Sequence, residues 1–436
     1  MWSRVRGRTV APAIVSGLLL AGLVAMPASV GAIEAGGSRC VDTDAGPNEV
    51  VFATVTATQG ASAGFVNAHN PFVDGISNST QNFQPNQSIA NTTVIVPDAT
   101  GEICVTVNQQ SQVIVDVIAY ASRDVVRPAS PTGQTDRVLD TRLIGGKLVE
   151  RTTRCARTDA SGGERVFATV TATEGEAAGF INGHTPGVNG LQNSTQNFQP
   201  NQSIANTTLI VPDSNGEICV TANKSVHAVV DVVAYIDGAA VRAATASGQA
   251  DRVLDSRTLP VKLDGGPICF FTAANPNEVV YATVTATEAD AAGFINAHSR
   301  GVDGTANSTQ NFQAVKSIAN TTLVKADSGP NGEICITLNK PSHVVVDVAA
   351  YGPSDSIRAA TSTGQADRVL DTRNESSPPP PTGPPANPGD TRNCSDFTTY
   401  ADAKEWFDTY FPFYGDVARL DADGNGIPCE SLPGAP

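Results

Sequence analysis

The residues best suited to chemistry in this 436-residue chain lie close to its end, in Asp421-Ala422-Asp423-Gly424-Asn425-Gly426-Ile427-Pro428-Cys429-Glu430. Side-chain oxygens at positions 1, 3 and 5 (Asp421, Asp423, Asn425) precede a Gly at 6 and a backbone carbonyl at 7 (Ile427). That is how an EF-hand-type loop wraps a calcium ion in hard oxygen ligands. A full loop of that type carries its bidentate acid at position 12, which here is Leu432, so Glu430 must serve from a shorter loop. The spacing predicts one Ca2+, held by Asp421, Asp423, Asn425, the Ile427 carbonyl and Glu430.

Three further sets of chemically capable residues recur along the chain. His69, His184 and His298 stand in Gly-Phe-[Val/Ile]-Asn-[Ala/Gly]-His, with no Cys, His or Glu cluster near them. They read as strand-end surface residues, and His227 and His343 as incidental. Asp116, Asp231 and Asp347 sit in Val-Asp-Val on apolar strands, where an unpaired carboxylate would be costly. Arg137, Arg142, Arg252, Arg257, Arg368 and Arg373 recur at the same period, so the acids and arginines predict structural ion pairs rather than catalysis. Asn-x-Ser/Thr triplets at Asn78, Asn86 and Asn91 recur as well and read as a polar strand surface.

What positions these residues is a threefold repeat. Ser79-Thr80-Gln81-Asn82-Phe83, Ser88-Ile89-Ala90-Asn91-Thr92-Thr93 and Arg137-Val138-Leu139-Asp140-Thr141-Arg142 each return twice, with Ser256 for the Thr in the second hexapeptide, at a spacing of about 115 residues. Each unit reads as short alternating strands separated by Pro, Asp and Gly turns, with no amphipathic helix. The expected fold is all-β: three tandem β-sandwich or jelly-roll-like domains over 33–142, 143–257 and 258–373. The hexapeptide could equally end one unit or begin the next. A Pro-rich linker over 374–392 separates them from a small disulfide-closed helix-and-loop domain over 393–436. There Thr399 and Asp402 form a capping box, and Ala403, Trp406, Phe407 and Tyr410 share one helix face.

The eight cysteines follow the same register, which pairs Cys40 with Cys104, Cys155 with Cys219, Cys269 with Cys335, and Cys394 with Cys429. Closing such loops contributes about 4 kcal/mol each in the chain-entropy model. Paired cysteines belong to an oxidising compartment. Residues 1–32 agree, reading as a signal peptide with Arg4, Arg6 and Arg8, an apolar stretch, and cleavage after Ala32. No lipidated Cys or hydrophobic C-terminal tail marks an anchor, so the sequence predicts a released or non-covalently held extracellular protein without membrane association. Removing the leader's three arginines takes the net charge from −15 to −18. That excludes nucleic acid and anionic lipid as partners, since both need clustered basic residues.

The tail resembles the Excalibur family, the extracellular calcium-binding domain of bacterial surface proteins and secreted nucleases. The residues that carry the likeness are Asn393-Cys394-Ser395-Asp396-Phe397, Ala403, Phe407, Leu420 and Asp421–Glu430, with Asn425 where the family usually has Asp. The repeats resemble, more loosely, the Arg-Val-Leu-Asp-Thr-Arg repeats of actinobacterial exported proteins. The resulting expectation is a non-catalytic, calcium-binding structural or interaction protein at the cell surface or beyond it. An array of modules for cell-wall or extracellular glycan is the alternative, disfavoured by the absence of Trp from the repeats. An accessory region of a secreted hydrolase comes third.

Overall fold

The computed structural model describes residues 31–330, 332–374, 388–423 and 427–435. Nearly all of the leader and most of the Pro-rich linker therefore lie outside the described residues, as does Asn425. Among the described residues no helix is long and apolar enough to cross a membrane.

Each repeat forms nine strands. In the first they are β1 (Ser38–Asp42), β2 (Glu49–Thr58), β3 (Gly64–His69), β4 (Gln81–Phe83), β5 (Ile89–Ile95), β6 (Glu102–Val107), β7 (Gln112–Ser122), β8 (Val126–Pro128) and β9 (Asp136–Asp140). One sheet runs β1-β6-β3-β4, entirely antiparallel. The second begins β5-β2-β7 and is completed from elsewhere. Alternation along β2 explains the layering. Val51, Ala53, Val55 and Ala57 enter the core between the two sheets, while Phe52, Thr54, Thr56 and Thr58 face the opposite way.

The completing strands come from the preceding repeat. Strands β8 and β9 leave the first repeat and pair with His227–Ile236 of the second. Arg242–Ala243 and Asp251–Asp255 pair in the same way with His343–Gly352 of the third. The last two strands, Ile357–Ala359 and Asp367–Asp371, return to β7 and close the circle. The result is a ring of six small sheets, two per repeat. The three units are therefore not self-contained sandwiches in a row, because each lends its last two strands to its neighbour. This also resolves the hexapeptide: it follows its own repeat in sequence and belongs to the next repeat's sheet.

Polar side chains hold the centre of the ring. Gln81 donates to the Ala205 carbonyl at 3.0 Å and accepts from the Ala205 N–H at 3.1 Å, clamping the backbone of the next repeat. Gln196 does the same to Ala319, and Gln310 to Ala90. Asn91 accepts from the Thr207 N–H at 2.9 Å, Asn206 from that of Thr321, and Asn320 from that of Thr92. The Asn-Thr-Thr segment read as a polar surface is therefore interior: Asn91, Asn206 and Asn320 are all fully buried. Their amides replace water for strand groups that would otherwise be unsatisfied. Beside them Phe52 packs edge-on against Phe167 and Tyr281, with centroids 5.8 and 6.3 Å apart.

Candidate functional site

In the tail, one short helix and one disulfide frame the acidic loop. The helix α1 spans Tyr400–Tyr414 and starts on Thr399, whose hydroxyl accepts from the Asp402 N–H while Asp402 accepts from the Thr399 N–H. Ala403 and Phe407 turn inward onto Ala418, Leu420 and Cys429, with Phe397 and Trp406 at the margin. So small a core needs a covalent staple, and Cys394–Cys429 provides it.

The loop is pinned at both ends. The Cys429 N–H donates to the Leu420 carbonyl at 2.8 Å, so residues 420 and 429 face each other across its mouth. Asp416 accepts from the Leu420 N–H at 2.8 Å and from the Asp421 N–H at 2.9 Å, fixing the direction in which the chain enters. Pro428 and Cys429 are buried, while Asp423 and Glu430 are exposed and Asp421 is half-buried. Among the described residues no three acidic, His or Cys side chains converge on one point. Asn425 and the glycines flanking it, which complete the loop, lie outside them. The donor set itself fits calcium. Two or three carboxylates, an amide oxygen and a backbone carbonyl are hard ligands, with no thiolate or imidazole to favour a softer metal.

Residues 391–430 match the Excalibur calcium-binding domain. The match covers the tail alone, and no curated relative matches the chain. Among solved structures, "Crystal Structure of the STIV MCP" aligns at 7% identity over 50% of this chain and 96% of the other, with a TM-score of 0.22. "The Triple Jelly Roll Fold and Turret Assembly in an Archaeal Virus" aligns at 10% identity over 73% and 83%, with a TM-score of 0.19. At such TM-scores neither likeness bears on the fold or the function of this chain.

Three of the six recurring arginines are used between repeats. Arg137 makes a forked pair with Asp231, Arg252 with Asp347, and Arg368 with Asp116, the Nε–Oδ1 distances being 2.8, 2.9 and 2.8 Å. Arg142, Arg257 and Arg373 pair instead with the acid two residues before them, Asp140, Asp255 and Asp371. Those guanidinia hold the three carboxyls below the usual aspartate range. The hydroxyl residue of the hexapeptide is fully buried in all three copies. Thr141 accepts from the Ala228 N–H at 2.9 Å, Ser256 from that of Val344 and Thr372 from that of Val113. His227 and His343 are not incidental, since each contacts this hydroxyl, and Gln112 does so in the first repeat.

A second latch escaped the sequence reading. Arg127 stacks on Tyr235 at 4.1 Å and pairs with Glu164, both in the next repeat. Arg242 treats Tyr351 and Glu278 likewise, and Arg358 treats Tyr120 and Glu49. Its signal was present as an arginine following Val126, Val241 and Ile357 at the repeat period.

The three aligned histidines are interior, not on the surface: His69, His184 and His298 are 8%, 6% and 4% exposed. Each Nδ1 lies 2.8–2.9 Å from the next residue's carbonyl, and each Nε2 faces a threonine hydroxyl. A carbonyl can only accept, so Nδ1 carries the proton and Nε2 accepts from the hydroxyl. Burial pushes all three imidazoles below their usual pKa. Gly75, Gly190 and Gly304 press on these rings, where a Cβ would collide with Nε2 and the threonine.

Proposed function

We propose that this chain is an exported, non-catalytic structural or interaction protein: a rigid three-repeat ring that carries a calcium-binding tail on a Pro-rich linker. The observation that supports it best is the family match over 391–430, whose loop offers only hard oxygen donors. Asp421, Asp423, Asn425, the Ile427 carbonyl and Glu430 would hold the ion. Bound there, calcium would supply the positive charge that offsets the loop's carboxylates. Four disulfides and a leader-like N-terminus support export. The acids, arginines and histidines that repeat are engaged in bonds within and between the repeats, which supports a binding or scaffolding role over an enzymatic one. The partner we propose is an extracellular or cell-wall glycan or protein.

Calorimetric titration of calcium into the full chain tests this reading. The expected stoichiometry is one ion per chain, abolished in Asp421→Ala/Asp423→Ala with the ring's melting transition unchanged. A stoichiometry near zero with Cys394–Cys429 intact would overturn the site.

A further inference from the structure

Each ring disulfide has a buried histidine beside it. Cys40 and Cys104 face each other on β1 and β6, and Cys104 in turn faces His69 on β3. Directly opposed residues of antiparallel strands share a face, with Cβ atoms about 4.5–5.5 Å apart. Disulfide and imidazole therefore lie in one row on the outer face of the sheet, since Ile103 and Val105 take the core side. Cys155, Cys219 and His184 form the same row in the second repeat, and Cys269, Cys335 and His298 in the third. No cysteine is near these histidines in sequence, and only the strand register brings the two together.

The cover over the row is uneven. Gly75, on the loop after β3, presses on His69 and Thr106, and Cys104 is 2% exposed. Strand β1 is the edge of its sheet, and Cys40 is exposed. Cys155 is exposed as well, whereas Cys269 is half-buried. A second difference sets the third repeat apart. The Ser38 hydroxyl bonds that of Thr106 at 2.5 Å, and Thr106 bonds His69 Nε2 at 2.7 Å. Thr153, Thr221 and His184 form the same chain at 2.6 and 2.7 Å. Ser38 and Thr153 are exposed, so hydroxyls lead from solvent to each imidazole. In the third repeat Pro267 holds the equivalent position and supplies no hydroxyl.

An exposed disulfide is open to a thiolate, at a rate set by access to the sulfur attacked and by the stability of the thiolate that leaves. We propose that Cys40 and Cys155 are sites of histidine-assisted thiol–disulfide exchange, where a small extracellular thiol forms a mixed disulfide with the exposed sulfur. The incoming thiol loses its proton to water, and its sulfur bonds to that of Cys40 or Cys155. The bridge breaks, and its electron pair leaves on Cys104 or Cys219. One disulfide is consumed and one is formed, so no further oxidant or reductant is needed. The departing thiolate emerges beside His69 or His184, whose Nε2 takes up a proton through the hydroxyl chain and offsets the new charge.

Reduced glutathione added to the native full chain, with acid quenching and peptide mass mapping, tests this. Adducts are expected on Cys40 and Cys155, forming about tenfold or more faster than any at Cys269–Cys335 or Cys394–Cys429. His69→Gln should slow the reaction at Cys40 and leave that at Cys155, a control within the same molecule, unchanged. In the glutathione adduct, NMR should show His69 and His184 titrating at higher pH than in the untreated chain. Should His69→Gln not fold, the choice of sulfurs in the wild-type chain carries the test. Four outcomes would each overturn the assignment: no adduct on the folded wild-type chain, equal reaction of all four bridges, glutathione settling on Cys104 and Cys219, or a folded His69→Gln that reacts undiminished at Cys40. None of them touches the calcium assignment of the tail, which is measured by a separate titration.

Discussion

Arg137 reaches out of its own repeat to grip Asp231 of the next, with Nε–Oδ1 at 2.8 Å and Nη2–Oδ2 at 3.2 Å. The two partners are unequal: the Asp231 side chain is 6% exposed and that of Arg137 is 39%. The loss of either should therefore cost different amounts.

Removing the cation leaves a buried carboxylate behind, whereas removing the acid leaves a guanidinium that can turn to water or to Asp140, 3.6 Å away. Arg137→Ala should destabilise the ring by about 3 kcal/mol or more, and Asp231→Ala by about 2 kcal/mol. Asp231→Asn, which keeps the shape and one acceptor, should cost less than either. Denaturant melts of the three variants check the order. Equal losses for Arg137→Ala and Asp231→Ala would show that burial asymmetry does not govern the pair.

The type of this contact was legible in the sequence, and its direction was not. A buried aspartate on an apolar strand needs a donor, and the arginines recur at the right period. Near-identical repeats, however, offer Arg137 either Asp116 or Asp231, and only the path of the chain after residue 125 selects the second. The disulfides were readable because Cys40 and Cys104 sit directly opposite on β1 and β6, so their register survives as a fixed spacing. Asn91 misled for the opposite reason. Amides usually mark a wet surface, but here they satisfy the backbone of a neighbouring repeat that no local pattern announces. The histidines misled similarly, since their cover, Thr106 and Gly75, comes from separate segments.

Acid should loosen the ring through those histidines. Burial keeps each folded-state pKa below its ordinary value, so the unfolded chain takes up protons first as the pH falls. Their contribution is complete above the unfolded value of about 6.5 and is lost as the pH drops through it toward the lower folded values. Thermal midpoints should fall between pH 7.5 and pH 5, with the three imidazole resonances of the folded chain titrating below the ordinary histidine value. A midpoint that stays flat or rises would contradict the neutral Nδ1–H form.

Ring closure should be separable from repeat folding. A chain ending at residue 355 lacks Ile357–Ala359 and Asp367–Asp371, and with them the pairs Arg358–Glu49 and Arg368–Asp116. Strand β7 then becomes a bare edge, which recruits other strands. Light scattering on the truncated chain should report dimers or larger species, and its midpoint should fall. A monomer of unchanged stability would mean that the returning strands do not hold the ring closed.

The aromatic cluster at the centre of the ring gives the last prediction, a substitution that strengthens the protein. Phe52, Phe167 and Tyr281 occupy equivalent places in the three repeats, but only the third carries a hydroxyl. That hydroxyl is buried and finds no hydrogen-bond partner among the described residues. Burial alone drives its pKa far upward, as expected for a phenol with nothing to stabilise its anion. An unsatisfied buried hydroxyl costs about 1–3 kcal/mol, whereas the ring itself packs as its phenylalanine counterparts do. Tyr281→Phe removes one oxygen, restores the residue of the other two repeats and loses no bond. Its expected effect is a gain of about 1 kcal/mol, read as a higher denaturant midpoint with an unchanged slope. A loss of stability would mean that the hydroxyl has a partner, such as an ordered water, and that the centre of the ring is not dry.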